Sequence, residues 1–173
     1  MRFQSIIFSV LSLGFVGSSL ALPVDSAALQ KRAFTLKTYP EFQISSTPAG
    51  NAQAEAAAVF VTPFNGVDLA TVSKQDRDNV EAMRRLAEQA ETEQFNPAIK
   101  AASAKALQNG KIKNKVLKLT GIVQVSKIDL AKAKAAGKDT SSIEAKLEEE
   151  QTKLTKNIAT DVAAAGQDSE GVV

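Results

Sequence analysis

The chain contains no cysteine, no histidine and no tryptophan, and only one tyrosine. Without cysteine there is no disulfide framework and no thiolate nucleophile. Without histidine the Ser-His-Asp and Cys-His systems are also gone, together with the usual zinc ligands. Aromatic residues make up 5% of the 173 residues, so platforms for stacking nucleic-acid bases are scarce. No Gly-rich phosphate loop of either common form occurs, and there is no Asn-x-Ser/Thr site for N-glycosylation. No apolar run reaches the roughly 20 residues that span a bilayer. The chain therefore reads as a non-enzymatic protein that folds by apolar burial, with no catalytic residue, metal ligand or cofactor to nominate.

What is there begins with a leader. Met1-Arg2 supplies a short positive start, Ile6 to Val16 is apolar, and Ser19-Leu20-Ala21 places small residues where a signal peptidase reads them, so residues 1–21 are expected to be a secretory signal peptide. The apolar run breaks at Gly17-Ser18-Ser19 and meets Pro23, too early for a membrane anchor. Residues 22–32 then form an expected propeptide, closing on the dibasic pair Lys31-Arg32 before the small residue Ala33. Two adjacent cations at this distance resemble the sites of kexin-type processing proteases, which makes Ala33 to Val173 the expected mature chain. A second pair, Arg84-Arg85, falls inside a predicted helix, where a protease that needs an extended substrate cannot read it. The C-terminal GQDSEGVV has no hydrophobic tail, so the expectation is a secreted, extracellular protein.

Removing the leader changes the electrostatics. The full chain has 21 basic and 19 acidic residues; taking away Arg2, Lys31, Arg32 and Asp25 leaves 18 of each. A chain near neutrality has no reason to be steered to nucleic acid or to an anionic membrane.

The mature chain is organised around Lys111 to Ala136. On a helix, Ile112, Val116, Leu119, Val123 and Leu130 share one apolar stripe. Such a helix is about 39 Å long, and burying each of those side chains contributes about 1.5–3 kcal/mol. Gly137 to Thr140 is a short connector, and Ser141 with Glu144 has the form of a capping box opening a last helix, whose stripe is Ile143, Leu147, Leu154 and Ile158, with Gln151 and Val162 beside it. A long antiparallel helical hairpin follows. Lys100 to Lys138 carries ten lysines and one acid, Asp129, whereas Asp139 to Val173 has eight acids and three lysines, so complementary rims are expected across the hairpin. Glu148-Glu149-Glu150 reads as a solvated helix face, since neighbouring helical residues point about 100° apart.

Upstream, Ser73 with Asp76 marks the start of a helix whose inner face is Val80, Met83, Leu86, Ala87 and Ala90, running to about Phe95. Asn96-Pro97 restarts the chain in a second short helix that Asn109-Gly110 ends. Asn51 caps a segment, Ala52 to Phe60, that fits either an alanine-rich helix or a strand. Ala33 to Ile44, AFTLKTYPEFQI, is an extended arm whose Phe34, Tyr39 and Phe42 either pack along the bundle or serve as anchors for a docking partner. Gly121 marks either close helix approach or a tolerated exposed glycine.

The fold expected is mostly α: a helical bundle over residues 73–166, preceded by the arm, a short helix and loops over 33–72 and followed by a disordered tail over 167–173. Lys31-Arg32-Ala33, the AFTLKTYPEFQI arm, FNPAIKAAS at Phe95 to Ser103 and LQNGKIKNKVLKLTG at Leu107 to Gly121 resemble the small secreted proteins of filamentous fungi. That resemblance implies a secreted, cysteine-free protein and carries no catalytic residues. The functional expectation is a secreted interaction protein with an unidentified protein or surface partner, such as a fungal effector. The alternative is a carrier holding a lipid or other apolar ligand between amphipathic helices. Neither nucleic acid nor a membrane span is expected.

Overall fold

The computed structural model describes residues 33–102 and 104–172, and among them there is no strand. The helices are α1 (Tyr39–Phe42), α2 (Ala52–Phe60), α3 (Lys74–Gln89), α4 (Asn96–Ala102), α5 (Lys105–Ala135) and α6 (Ser141–Ala163), with 3₁₀ turns at Thr62–Phe64 and Leu69–Thr71. The protein is a mostly α-helical bundle in which α5 is central, packed against α6, α3 and α2. The α5–α6 hairpin is present, and its connector turns at Gly137, where φ is +62°.

The stripe on α5 holds in its middle. Val116, Leu119 and Val123 are buried, while Ile112 and Leu130 are half-buried. The burial also extends around the helix, taking in Leu117, Val125 and Ile128 and the polar Lys113, Asn114, Thr120 and Gln124. A helix enclosed by three others has little polar face left, so its amphipathic pattern is weak. The apolar stripe of α6 is only half-buried, and Val162 is exposed.

Aromatic packing sets the other half of the core. Phe34 stacks on Phe64 and Phe60 (ring centroids 5.4 and 6.3 Å apart), and Phe42 meets Phe60 and Tyr39 edge-on at 6.0 and 5.6 Å. The Tyr39 hydroxyl donates to Asn114 Oδ1 at 2.9 Å, and burial pushes its phenol up to about 12. Phe34, Tyr39 and Phe42 are thus not docking anchors; they are interior side chains, and Pro40 sits in one turn of helix rather than interrupting a strand.

Several boundaries differ from expectation for reasons of packing. Asn109-Gly110 does not end a helix but lies inside α5. A Cβ at Gly110 would fall 1.9 Å from the Glu170 carbonyl oxygen, so the glycine admits the C-terminal segment, while Asn109 Nδ2 donates to the Asp168 carbonyl at 2.8 Å. Residues 167–172 are consequently a docked strap rather than a disordered tail. Ala49 N–H donates to Gln167 O, Gly166 N–H to Ala49 O, and Ser169 Oγ to Ser45 O (3.1, 2.9 and 2.7 Å). At Asn96-Pro97 the chain stays helical: α3 passes through a π-helical segment, Ala90–Phe95, into α4. The wider turn precedes a proline that an α-helix cannot accommodate internally without losing a bond.

Ala52 to Phe60 is helix, but Asn51 provides no side-chain cap; Asp161 on α6 accepts from the Ala52 N–H at 2.9 Å instead. A carboxylate there also complements the positive end of the helix. The complementary rims are replaced by a different pairing. Lys134–Glu144 (2.9 Å) bridges the hairpin, whereas Lys113 turns to Glu55, and Lys115 and Lys118 turn to Glu91.

Gly121 is a site of close approach. Its Cβ would lie 2.6 Å from Arg84 Cβ and 3.3 Å from the Phe60 ring. Alanine at an open helical position gains about 1 kcal/mol over glycine, but here α3 has to move, and overpacking costs about 1–3 kcal/mol. Gly121→Ala is therefore expected to lower the urea midpoint rather than raise it, in equilibrium unfolding followed by helical circular dichroism.

Candidate functional site

Three helices leave an open cleft of about 700 Å³. Its floor comes from α5, with Ile122 and Val125 beside Ser126 and Asp129. One wall is α3, whose Arg77, Glu81, Arg84 and Arg85 recur at helical spacing; the other is the start of α6, with Ser142, Ile143, Lys146 and Glu150. The site follows from shape: α3 approaches α5 closely at Gly121, and α6 covers only part of the remaining α5 surface.

The rim is held by multidentate ion pairs. Arg77 forks onto Asp129, with Nε to Oδ1 at 3.0 Å and Nη2 to Oδ2 at 2.7 Å, which raises the guanidinium above its ordinary value. The same pair borders a second depression of about 410 Å³ with Lys74, Asp78 and Lys132. On the next turns of α3, Arg84 forks onto Glu81 (Nε to Oε2 3.0 Å, Nη2 to Oε1 2.6 Å) and reaches Glu88, while Arg85 Nε donates to Glu81 Oε1 at 2.6 Å. Burial alone would push the Glu81 carboxyl up, but the hydrogen bonds from Arg84 and Arg85 outweigh it and hold it below the usual carboxylate value. Glu81 is thus a fixed anion and a poor proton donor. The arrangement presents both signs of charge around an apolar floor, which suits recognition of an amphipathic chain.

The residues nominated from sequence lie elsewhere. Ala21, Lys31 and Arg32 are outside the described residues. Phe34, Tyr39 and Phe42 are in the core. Arg84-Arg85 is within α3, as predicted, and helps to build the cleft. Of the three glutamates read as a solvated face, Glu148 and Glu149 are exposed, whereas Glu150 lines the cleft. The Arg77–Asp129 fork joins residues 52 positions apart, and no local motif announces it. Among the described residues no group of three or more acids could hold a metal ion, and no helix is long and apolar enough to cross a membrane.

Fold and site together define a cysteine-free helical bundle with an open, charge-rimmed cleft. The chain belongs to the family of a domain of unknown function (DUF8454), which matches residues 34–173. No curated protein and no solved structure is detectably similar to it.

Proposed function

We propose that the protein is a secreted, non-enzymatic binding protein that recognises a polypeptide partner through the cleft between α3, α5 and α6. The observation that carries this reading is the combination of an apolar floor at Ile122 and Val125 with a rim of fixed charges of both signs. Secretion rests on the leader pattern of residues 1–21 and the dibasic pair at Lys31-Arg32. An effector role in a fungus is the finer form of the same proposal and rests on sequence resemblance. A carrier of an apolar ligand is the second reading; it is favoured by the half-buried stripe of α6, whose Ile143 already lines the cleft.

Native mass spectrometry of the protein purified from the medium of its own producing culture separates the two. The binding reading expects a polypeptide adduct, with retention falling about tenfold in Arg85→Glu/Lys146→Glu, because like charges across an interface are repulsive. Both side chains are outward, Arg85 with 68% of its side chain exposed, so the fold should survive. A bound lipid in the organic extract, insensitive to the double substitution, would put the carrier first.

A further inference from the structure

We propose that Asp76 and Asn79 form a receptor for the N-terminus that cleavage after Arg32 creates. The proposal rests on the processing part of the functional reading and adds a site within the fold to it. Asp76 sits in the first turn of α3, where Ser73 Oγ accepts its N–H at 3.0 Å. In a complete capping box its carboxylate would turn back to the Ser73 N–H. Instead Asp76 Oδ1 accepts from the Phe34 N–H at 2.8 Å, and Asn79 Nδ2 donates to the Phe34 carbonyl at 2.7 Å. Both backbone groups of Phe34 are therefore held by side chains of α3, and its ring is locked between Phe64 and Phe60. Ala33, one residue earlier, is exposed. The family match also starts at Phe34, immediately after the expected cut and its small flanking residue.

Hydrolysis of the Arg32–Ala33 peptide bond takes up one water, leaving a carboxylate on Arg32 and an ammonium on Ala33. The Ala33 nitrogen lies within about 6.5 Å of Asp76 Oδ1, because adjacent backbone nitrogens are at most about 3.6 Å apart. Neighbouring cations are already engaged: Lys74 with Asp78 and Arg77 with Asp129. The new ammonium thus arises close to a half-buried carboxylate whose Oδ1 already holds the next backbone N–H, and their attraction tightens the mature fold.

The test uses the full chain expressed in a secreting host that has a kexin-type protease. The unaltered chain is compared with Lys31→Ala/Arg32→Ala, which is not cut, each with and without Asp76→Asn. Asparagine keeps an acceptor for the Phe34 N–H and removes only the charge. At about pH 6, where an α-amino group is protonated, the cleaved product should have a folded-to-unfolded ratio roughly three- to fivefold above the uncut one, and Asp76→Asn should abolish that gain. A product with mass starting at Ala33 whose gain is absent, or persists in Asp76→Asn, overturns the receptor and leaves processing intact. A product retaining residues 22–32 overturns both.

Discussion

Lys113→Met is expected to cost about 3–5 kcal/mol in urea unfolding, the range for removing one member of a buried ionic network. Lys113 has no exposed surface. Its ammonium donates to Thr47 O (3.0 Å), Thr47 Oγ1 (2.5 Å) and Pro48 O (2.9 Å), which occupies all three of its protons. Glu55 Oε2 lies 2.7 Å from the same nitrogen but makes no aligned hydrogen bond, so that contact is a charge contact only. Thr47 Oγ1 in turn donates to Glu55 Oε1 at 2.7 Å. The network ties the loop before α2, α2 itself and α5 into one unit. Methionine matches the stem in length but leaves two carbonyls without a donor and one carboxylate without a counter-charge. Adding Glu55→Gln should recover part of the loss, because the charge is then gone while the carbonyls remain unpaired. A Lys113→Met variant as stable as the parent would mean that the ammonium contributes nothing net to the fold.

Phe60→Ala should be comparably damaging, about 3–5 kcal/mol by the same measurement, since a fully buried ring is lost and its neighbours cannot all collapse into the space. Phe60 is wholly enclosed and touches both Phe34 and Phe42, so it joins the N-terminal arm to α2. Phe34→Ala attacks the same cluster from the arm. The double variant should therefore lose less than the sum of the two single losses, because residues in contact are not independent. Strict additivity would indicate that the arm and α2 do not share one core. The partner binding proposed for the cleft is read separately, so a destabilised variant that still folds should keep it.

Much of the fold was legible in short-range patterns. The apolar spacing of Val116, Leu119 and Val123 marked α5, and the Gly137 turn marked the hairpin, because both depend on residues close in sequence. Ser73 was legible as the cap of α3 for the same reason, and its Oγ does accept from Asp76. Elsewhere a local signal is overruled from a distance. Asn109-Gly110 carries the composition of a turn, yet the strap at Glu170 needs that glycine inside a helix. Asp76 has the spacing of a capping box, yet its carboxylate serves Phe34, 42 positions away. The lysines of α5 looked like a partner for the acids of α6, but oxygen atoms of Thr47 and Pro48 in the N-terminal segment hold Lys113, and Glu91 holds Lys118.

Composition by itself determined that this chain must fold without disulfides and that a histidine-based site was never available, since those are properties of side chains irrespective of where they sit. Periodicity likewise determined a mostly helical fold, because the hydrophobic repeat of a helix is local. Only the tertiary structure decided that the aromatic arm is interior, that the C-terminal residues are a strap, and that Arg77, Glu81, Asp129 and Lys146 border one cleft. Each of those outcomes depends on which surfaces of distant helices meet, and the packing of whole helices is set by shape and by buried polar satisfaction summed over many residues, which no single stretch of chain encodes.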